Sequence, residues 1–369
     1  MSMNASYLRL RIKALRESQG MSQSDLAQQM GLKGHQTLSD IEQGDRKISA
    51  DELIKAAHAF GMSLAVLTDP MRLVEEGQFS WRQKNVHPAD LDDFQNKAGQ
   101  WIATYRYLCV LKGQPVNSVI RKVALSRDST FEQAQEQGEA IGLALGLGEV
   151  PALNLCEVVE NHLDTLVLHV DAIQGVSGAA CQLDQLNTII VNRNESRQRR
   201  SYDMAHELFH LLTWDRMPPE RLDIAEGKQK RVEQLAENFA AALLMPRATL
   251  AVMIEQNPLP QELGLTQWLA KTAAILHVSP SALTWRMVNL RYISKAKADR
   301  ILEAPKWPAS KAAPEPCPQR MSRRFIEVLG WGITQGHLSV RRAANILDTT
   351  LEDMAAMFRE HSLKPPFDL

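Results

Sequence analysis

The spacing of apolar residues predicts a chain that begins with a compact unit of short helices. Apolar positions recur every three or four residues over 8–15, as on one face of a helix. Ser22 stands where it can cap the start of a short helix, and Gly31 stands where that helix would end. The next short helix would close at Gly44. Short helices in this rhythm over 1–70 predict a helix-turn-helix unit.

The middle of the chain combines a long helix with a small amount of β structure. Apolar residues step by three or four across 88–112 and predict one long helix inside a helical connector at 71–127. A further helix is expected over 131–145, just before a glycine-rich turn. Three short, partly β-branched runs, separated by glycine and polar residues, predict a small sheet. These runs are 164–170, 176–182 and 187–192.

Helical patterning returns near residue 198 and persists almost to the end of the chain, apart from one proline-rich stretch. Residues 303–320 contain five prolines, which predicts a stiff, extended linker. The pattern therefore divides the chain into six segments. They are a helix-turn-helix unit at 1–70, a helical connector at 71–127, an α+β domain at 128–258, a helix-turn-helix-like extension at 259–302, the linker at 303–320 and a C-terminal helical module at 321–369.

Composition narrows the class of protein without indicating its chemistry. With 369 residues, 44% of them hydrophobic and 23% charged, the chain is suited to two or three globular domains. Its formal net charge of −1 means that any contact with nucleic acid must come from a local patch. The N-terminus lacks the apolar core of a signal peptide, and no apolar run approaches the ~18 residues that span a bilayer, so a cytoplasmic location is expected.

An HExxH motif lies in AHELFH, residues 205–210. Residues four apart share one face of a helix, so His206 and His210 can offer two imidazole nitrogens to one metal ion. Glu207 lies about 100° further around the helix axis, where it can take a proton from a water beside the metal. Two ordinary helical histidines are the plainer alternative, but the surrounding helix is apolar, and buried histidines need partners. The pattern favours a zinc metallopeptidase site with Glu207 as general base.

A catalytic zinc site needs a third protein ligand, and the next helical stretch offers two carboxylates. Glu233 and Glu237 stand one turn apart in RVEQLAENFAAALLMP, residues 231–246, and share a face. We expect Glu233 to bind the metal and Glu237 to orient a histidine through its second ring nitrogen. Spacing alone leaves open that both are solvated surface carboxylates.

The segment around these motifs, residues 131–255, resembles the ImmA/IrrE family of metallopeptidases. The matching pieces are ALGLGEVPALNLCEVVE, GVSGAA, IIVNRNESRQRRSYDMAHELFHLL and EQLAENFAAALLMP, which cover roughly a third of the chain in the family's order. The resemblance implies a zincin-like α+β fold for 128–258, with Zn²⁺ as cofactor. By motif position it implies the metal ligands His206, His210 and Glu233 and the base Glu207.

The same resemblance departs at one position and implies a restricted role. Glu237 stands where the family usually has Asn or Asp, and the longer carboxylate changes the geometry expected beside the histidines. Peptidases of this family are similar to regulators that cut a helix-turn-helix repressor at one site and so relieve repression after DNA damage or mobile-element stress. The resemblance therefore implies an XRE-type repressor protein as the substrate.

The N-terminal unit resembles the XRE type of helix-turn-helix domain found in phage repressors. The matching text is MSQSDLAQQMGL followed by HQTLSDIEQGDRKIS. Residues 1–70 hold eight basic and eight acidic side chains, so docking to protein or dimerisation stays open beside DNA binding. The residues expected on DNA by this analogy are Gln36, Thr37 and Asp40 in the major groove and Gln23, Arg46 and Lys47 on phosphates.

A second basic cluster, Arg197, Arg199 and Arg200, precedes the HExxH motif. The plainer interpretation is the solvated start of a helix. The functional alternative is a contact with nucleic acid through which the protein would sense damage.

The four cysteines are scattered and form neither a disulfide framework nor a zinc knuckle. Cys181 lies on a strand that, by the resemblance, runs past the metal, and Cys109 lies on the long connector helix. We hypothesise that one of these thiolates binds the open position of the zinc ion and keeps the enzyme inactive. The alternative is that each is a small buried apolar residue.

These patterns together predict a mainly α, multidomain protein with a helix-turn-helix bundle, a zincin-like α+β domain and a helical C-terminal region. We expect a zinc metalloendopeptidase of the HExxH, gluzincin-like kind that cleaves a repressor in a stress, DNA-damage or phage-defence response. The alternative is a DNA-binding transcription regulator whose peptidase-like domain senses a ligand without cutting; a toxin–antitoxin component is a further alternative. Paired DNA half-sites suggest a homodimer by analogy, and no membrane partner is expected.

Overall fold

The chain is mainly α-helical and multidomain, with one small mixed sheet, as the sequence predicts. Three apolar clusters hold it together, one inside the N-terminal unit and one on each face of the sheet. The computed structural model describes residues 3–114, 116, 122–183, 185–219, 228–261, 264–303 and 316–368.

Local capping explains where two helices of the N-terminal unit begin. Ser22 accepts a hydrogen bond from the Asp25 amide while the Asp25 carboxylate accepts from the Ser22 amide, and Ser49 and Glu52 repeat the arrangement. Gly44 ends the third helix at φ 89°, which glycine adopts without strain. The helices are α1 (Met3–Ser18), α2 (Gln23–Gln29), α3 (His35–Gln43), α4 (Ala50–Ala59) and α5 (Leu64–Thr68).

The connector contains a strand that the sequence pattern does not predict. The pattern predicts a helical connector at 71–127 with one long helix over 88–112 and no strand, yet strand β1 (Gln78–Gln83) precedes the long helix α6 (Pro88–Leu111). β1 has six residues, and its large apolar side chains are only Phe79 and Trp81, too few for the period of a strand to stand out. Its partner strand lies far along the chain, so tertiary contact rather than local propensity forms it. The predicted long helix itself is confirmed.

The sheet has the strand order β1–β3–β4–β2. The other strands are β2 (Leu166–Val170), β3 (Val176–Gln182) and β4 (Asn187–Asn192), and they confirm the three predicted runs. β3 is antiparallel to β1 and to β4, whereas β2 is parallel to β4. The edge strand β1 therefore extends the sheet beyond β3 and sets Arg82 opposite Gly178.

Among the described residues, the chain forms eight more helices around the sheet: two between α6 and β2, and six between β4 and the C-terminal module. They are α7 (Phe131–Ala144), α8 (Pro151–His162), α9 (Arg197–Thr213), α10 (Lys228–Leu244), α11 (Arg247–Gln256), α12 (Leu265–Ile275), α13 (Pro280–Asn289) and α14 (Lys295–Glu303). The helix predicted over 131–145 is confirmed as α7.

The two faces of the sheet bury different partners, because successive side chains on a strand point to opposite sides. Ala180 and Ile189 belong to a cluster that includes residues of α9 and α10. Ala179 and Ile190 belong to a second cluster, formed with α6 and the C-terminal helices. We call these the α9 face and the α6 face of the sheet.

The C-terminal module is docked on the α6 face. It consists of α15 (Arg323–Thr334), α16 (Val340–Leu347) and α17 (Leu351–Glu360). The Met321 amide donates to His169 O at 2.7 Å, and Trp101 Nε1 donates to Ile346 O at 2.8 Å. The linker predicted at 303–320 lies mostly outside the described residues and stays a prediction.

Helix α10 approaches α7 closely because glycine occupies the contact. A Cβ atom at Gly138 would lie 2.4 Å from Phe239 O, closer than Cβ atoms come to a neighbour, and 3.1 Å from Leu243 N, which is already a tight contact. Gly138 therefore sets the position of α10, and with it the side chains that α10 presents to α9.

No single helix in the described ranges is long and apolar enough to cross a membrane. One bent pair, Lys230–Leu244 with Arg247–Gln256 at 49°, meets that test of length and composition only when its two helices are taken together.

Replacing Gly138 by alanine should destabilise the protein, because α7 and α10 must separate to admit the methyl group. Overpacking a filled interface costs about 1–3 kcal/mol, so we expect a lower midpoint in thermal unfolding followed by circular dichroism. Gly142→Ala is the matched control on the same helix, since a Cβ there would lie 3.6 Å from its nearest neighbour, Leu243 O, which is an ordinary contact distance. A Gly138→Ala protein as stable as the control would contradict the close packing.

Candidate metal centre

Helix α9 carries the HExxH motif through the apolar interior. Ser196 caps its start by accepting a hydrogen bond from the Arg199 amide, and almost every residue from Ser201 onward is buried. The helix packs on β3 and β4 and against α10. His206 and His210, four residues apart, turn to the same side, with ring centroids 5.0 Å apart.

Helix α10 brings a carboxylate to the two imidazoles. Glu233 Oε2 lies 3.0 Å from His206 Nε2, and Glu233 Oε1 lies 3.5 Å from His210 Nε2. The two Nε2 atoms are 3.2 Å apart. Donor atoms around a tetrahedral zinc ion with bonds of about 2.0–2.1 Å are roughly 3.3 Å apart. The three side chains therefore fit one zinc ion, and in the described part of the chain they are the group that could hold a metal.

The carboxylate of Glu207 is enclosed beside this group. It has no exposed surface, and neither oxygen makes a hydrogen bond of good geometry to the described residues. Gly178 on β3 makes room for it, because a Cβ there would lie 3.6 Å from Glu207 Cγ and 2.9 Å from Ile190 O. Buried acceptors without donors need water or a cation, which a hydrated metal site would supply.

Burial sets the protonation states that such a site needs. It lowers the pKa of His206 well below its usual value and the pKa of His210 to about 4, so both rings are neutral near pH 7. Burial raises the pKa of Glu207 well above its usual value, and the positive charge of Arg82 opposes that rise. Neutral imidazoles are the form that binds zinc, and a carboxylate of raised pKa is suited to general-base work.

Three residues beside the site were not predicted from the sequence: Arg82, Tyr202 and Asp203. Asp203 is fully buried one turn before Glu207, and its oxygens lie 2.9 Å from Arg82 Nε and 3.1 Å from Arg199 Nε. The Arg82 guanidinium also lies over the Tyr202 ring, 5.7 Å from its centroid. Tyr202 and Asp203 stand next to the motif, where helical spacing could have indicated them, whereas Arg82 comes from the unpredicted strand β1.

Glu237 does not lie where the sequence analysis expected it. Its side chain is exposed, and no hydrogen bond joins it to either imidazole within the described ranges. Four residues after Glu233 it has turned about 40° further around α10, which carries it to the solvent side. His206 Nδ1, the nitrogen that such a residue could orient, is buried without a hydrogen-bond partner among the described residues.

The cysteine hypothesis is wrong on geometry. Cys181 belongs to the cluster on the α6 face, whereas Gly178, three residues earlier on the same strand, faces Glu207. Cys109 lies in the same α6-face cluster, so the sheet separates both thiols from the metal ligands. Burial also raises the pKa of the Cys109 thiol to about 11, so it is not a thiolate near neutral pH. The alternative, small buried apolar residues, describes both positions.

The residues expected to face the major groove share one side of α3. Gln36, Thr37 and Asp40 follow helical spacing along it, and Gln36 Nε2 donates to Asp40 Oδ1 at 2.9 Å. Gln36 is exposed, and the other two are half-buried. The face is therefore accessible and carries no net positive charge.

The residues expected on phosphates are partly engaged inside the N-terminal unit. Gln23 donates to the buried Glu42 at 2.8 Å, and Arg46 pairs with Glu52 at 2.8 Å. Lys47 is exposed.

The arginines before the HExxH motif have partners within the chain. Arg199 pairs with Asp203, and Arg200 Nη1 donates to the backbone oxygen of Arg193 at 3.2 Å. Arg197 also interacts internally. These contacts favour the interpretation of the cluster as the start of a helix.

Two segments of the chain match known protein families. Residues 12–67 match the helix-turn-helix family, and residues 162–287 match the IrrE N-terminal-like domain of a peptidase family. No curated protein is similar enough to count as a relative. Among solved structures, the apo form of the competence regulator ComR from Streptococcus vestibularis is 13% identical over 98% of this chain and 99% of that chain, with a TM-score of 0.17. So low a TM-score carries no argument about this chain.

The purified protein should hold about one zinc ion per chain, measured by plasma mass spectrometry. His206→Ala and Glu233→Ala should each weaken zinc binding in a chelator competition by more than about 100-fold, since even residues that only orient a ligand contribute 10–100-fold. Glu255→Ala, at an exposed carboxylate of α11, is the control and should keep full affinity. Unchanged zinc affinity in both site variants would rule out this centre.

Iodoacetamide should modify Cys317 in the folded protein and leave Cys109 and Cys181 protected, because Cys317 is exposed and the other two are buried. Since burial raises the pKa of Cys109 to about 11, raising the pH from 7 to 9 leaves only about 1% of it as thiolate. Peptide mass spectrometry reads the labelled sites, and unfolded protein should label at all of them. Rapid labelling of Cys181 in the folded protein would contradict its burial on the α6 face.

Proposed function

The chain joins an XRE-type helix-turn-helix domain to a domain of the ImmA/IrrE peptidase family, and from this we propose that it is a zinc-dependent endopeptidase that cleaves a helix-turn-helix repressor. One observation carries the proposal: donor atoms of His206, His210 and Glu233 lie within reach of one metal ion, with Glu207 enclosed beside them. By the family resemblance, cleavage would relieve repression in a stress, DNA-damage or phage-defence response.

A zinc ion held by these three side chains would act as a Lewis acid that lowers the pKa of water and polarises a peptide carbonyl. The protein supplies the proton transfers. Glu207 takes a proton from the attacking water and later delivers it to the amine nitrogen as the C–N bond breaks. The buried surroundings of α9 keep bulk water away and strengthen each electrostatic contact in the site.

For the N-terminal unit we propose DNA binding through the exposed face of α3. The support is the family match over 12–67 and the placement of Gln36, Thr37 and Asp40 along that face. Because the unit has no basic excess, its sequence-independent attraction to phosphates should be weak. Base contacts would then contribute most of its affinity.

A second candidate is a DNA-binding regulator whose peptidase-like domain senses a ligand without cutting. The observation in its favour is enclosure: the side chains of the HExxH motif, His206, Glu207 and His210, are 1%, 0% and 2% exposed. A peptide substrate would have to approach them past Glu233, the ligand whose side chain is 34% exposed. A regulator without proteolysis needs no such access.

Glu207→Gln separates the two candidates. The variant should keep its fold and its zinc, because glutamine has the shape of glutamate and position 207 is not a ligand. It should lose cleavage by about 10²–10⁴-fold, the contribution of a general base. The first assay labels new protein N-termini in cells that express the wild type or the variant. The second assay tests whether each purified protein cleaves a purified XRE-type repressor from the same genome.

Glu255→Gln is the matched control, since it makes the same chemical change at an exposed carboxylate of α11. It should produce the same N-termini as wild type. If the wild type and Glu207→Gln gave identical N-termini and identical transcription, the peptidase proposal would be rejected. The regulator that senses a ligand without cutting would then be the supported function.

A further inference from the structure

Arg82 reaches the metal centre from outside the peptidase-family segment. It lies on β1, whereas the family match covers 162–287. In the antiparallel pair of β1 and β3, Arg82 is directly opposite Gly178. Opposed residues place their side chains on one face of the sheet, about 4.5–5.5 Å apart at Cβ. Because Gly178 faces Glu207, the Arg82 side chain leaves β1 on the face that carries Glu207.

Two contacts hold the Arg82 guanidinium in place. Its Nε lies 2.9 Å from Asp203 Oδ1, and its Cζ lies 5.7 Å from the centroid of the Tyr202 ring. Asp203 is fully buried, and the Arg82 side chain is 17% exposed. A guanidinium fixed by a carboxylate and an aromatic face is preorganised, so it loses little freedom when it binds something further.

One donor of this guanidinium is left over. Arg82 Nη1 is buried and makes no hydrogen bond to any described residue. A buried charged donor without an acceptor is unfavourable unless a bound molecule supplies one. The pair with Asp203 holds the guanidinium against α9 one turn before Glu207, on the face of the sheet where Gly178 contacts Glu207.

We propose that Arg82 is a catalytic residue: its Nη1 donates a hydrogen bond to the carbonyl oxygen of the scissile peptide and stabilises the negative charge that forms there. This rests on the proposed peptidase function. The oxygen of water bonds to the carbonyl carbon, and the π electron pair moves to the carbonyl oxygen. Glu207 holds the proton and passes it to the nitrogen as the C–N bond breaks and the carbonyl reforms. Arg82 stays protonated throughout.

The test uses the zinc-loaded full chain and two probes. N-phosphoryl-leucinamide carries a tetrahedral, anionic phosphoryl group that resembles the charged intermediate, and acetohydroxamate is a planar zinc ligand. Arg82→Met should weaken N-phosphoryl-leucinamide in calorimetry by about 10²-fold, the lower end of the loss expected for one oxyanion donor. Acetohydroxamate should bind almost unchanged. Arg82→Lys keeps the charge but not the fork of donors, so its loss should be intermediate.

Arg199→Met is the matched control, because Arg199 pairs with the same Asp203 carboxylate and its own side chain is 47% exposed. It should bind both probes as wild type does. Equal losses in Arg82→Met and Arg199→Met would mean that Arg82 merely neutralises Asp203, and would overturn the proposal. Zinc content and thermal unfolding of each variant check that the site and the fold are intact.

Three other results would also overturn the assignment: equal affinity of wild type and Arg82→Met for the phosphoryl probe, equal weakening of both probes, or no phosphoryl binding by wild type. Failure of the proposed function looks different. Suppose that Arg82→Met weakens only the phosphoryl probe while no cleavage depends on Glu207. The oxyanion site would then stand, and the proposed peptidase function would fail. Where cleavage occurs, Arg82→Met should lower kcat and leave KM close to wild type.

Discussion

A single helix face that buries several ionisable groups is the constraint on which the metal centre depends. Groups removed from water are stable only with partners, and here the partners come from different elements. Glu233 arrives from α10 and Arg82 from β1. The arrangement around α9 is therefore set by charge as well as by apolar packing. The buried groups on α9, each at most 2% exposed, are Asp203, His206, Glu207 and His210.

Two glycines allow the close packing that brings the side chains of the metal centre together. Gly138 lets the backbone of α10 rest against α7, and Gly178 leaves space between β3 and the Glu207 side chain. A methyl group at either position would meet a backbone oxygen at 2.4 Å or 2.9 Å. The backbone movements needed to relieve such contacts would change the 3.0 Å distance between His206 Nε2 and Glu233 Oε2. The geometry of the metal-binding atoms therefore depends on packing some distance away.

The sequence predicted what is encoded locally. Each correctly predicted feature is specified by residues at or next to it in the sequence. These features are the helix caps, the strands β2 to β4 and the HExxH spacing on α9. Glu233 needed helical spacing together with a family resemblance. The position of Arg82 depends on the register between β1 and a strand late in the chain, which no local pattern records. Cys181 is different, because three residues from Gly178 on one strand already implies opposite faces.

The helices after α11 show why segment boundaries were harder to predict than elements. Their helix-turn-helix pattern suggested an extension separate from the α+β domain. Arg286 on α13 is fully buried, however, and donates to Met245 O at 3.1 Å and to Gln135 Oε1 at 2.8 Å. The family match likewise runs to residue 287. A hydrophobic pattern counts arginine as an exposed polar residue, so it does not reveal that Arg286 is buried. Periodicity therefore cannot show which domain α13 packs against.

The same kind of contact links the N-terminal unit to the strand that carries Arg82. Arg11 on α1 is fully buried, donates to Leu67 O at 2.8 Å and pairs with Glu76 at 2.9 Å. Glu76 also lies 3.6 Å from Arg106 on α6, and β1 begins two residues after it. A buried carboxylate shared by two arginines is costly to separate. The position of the helix-turn-helix unit and the start of β1 thus depend on one set of ion pairs, and Arg82 extends that dependence to the metal centre.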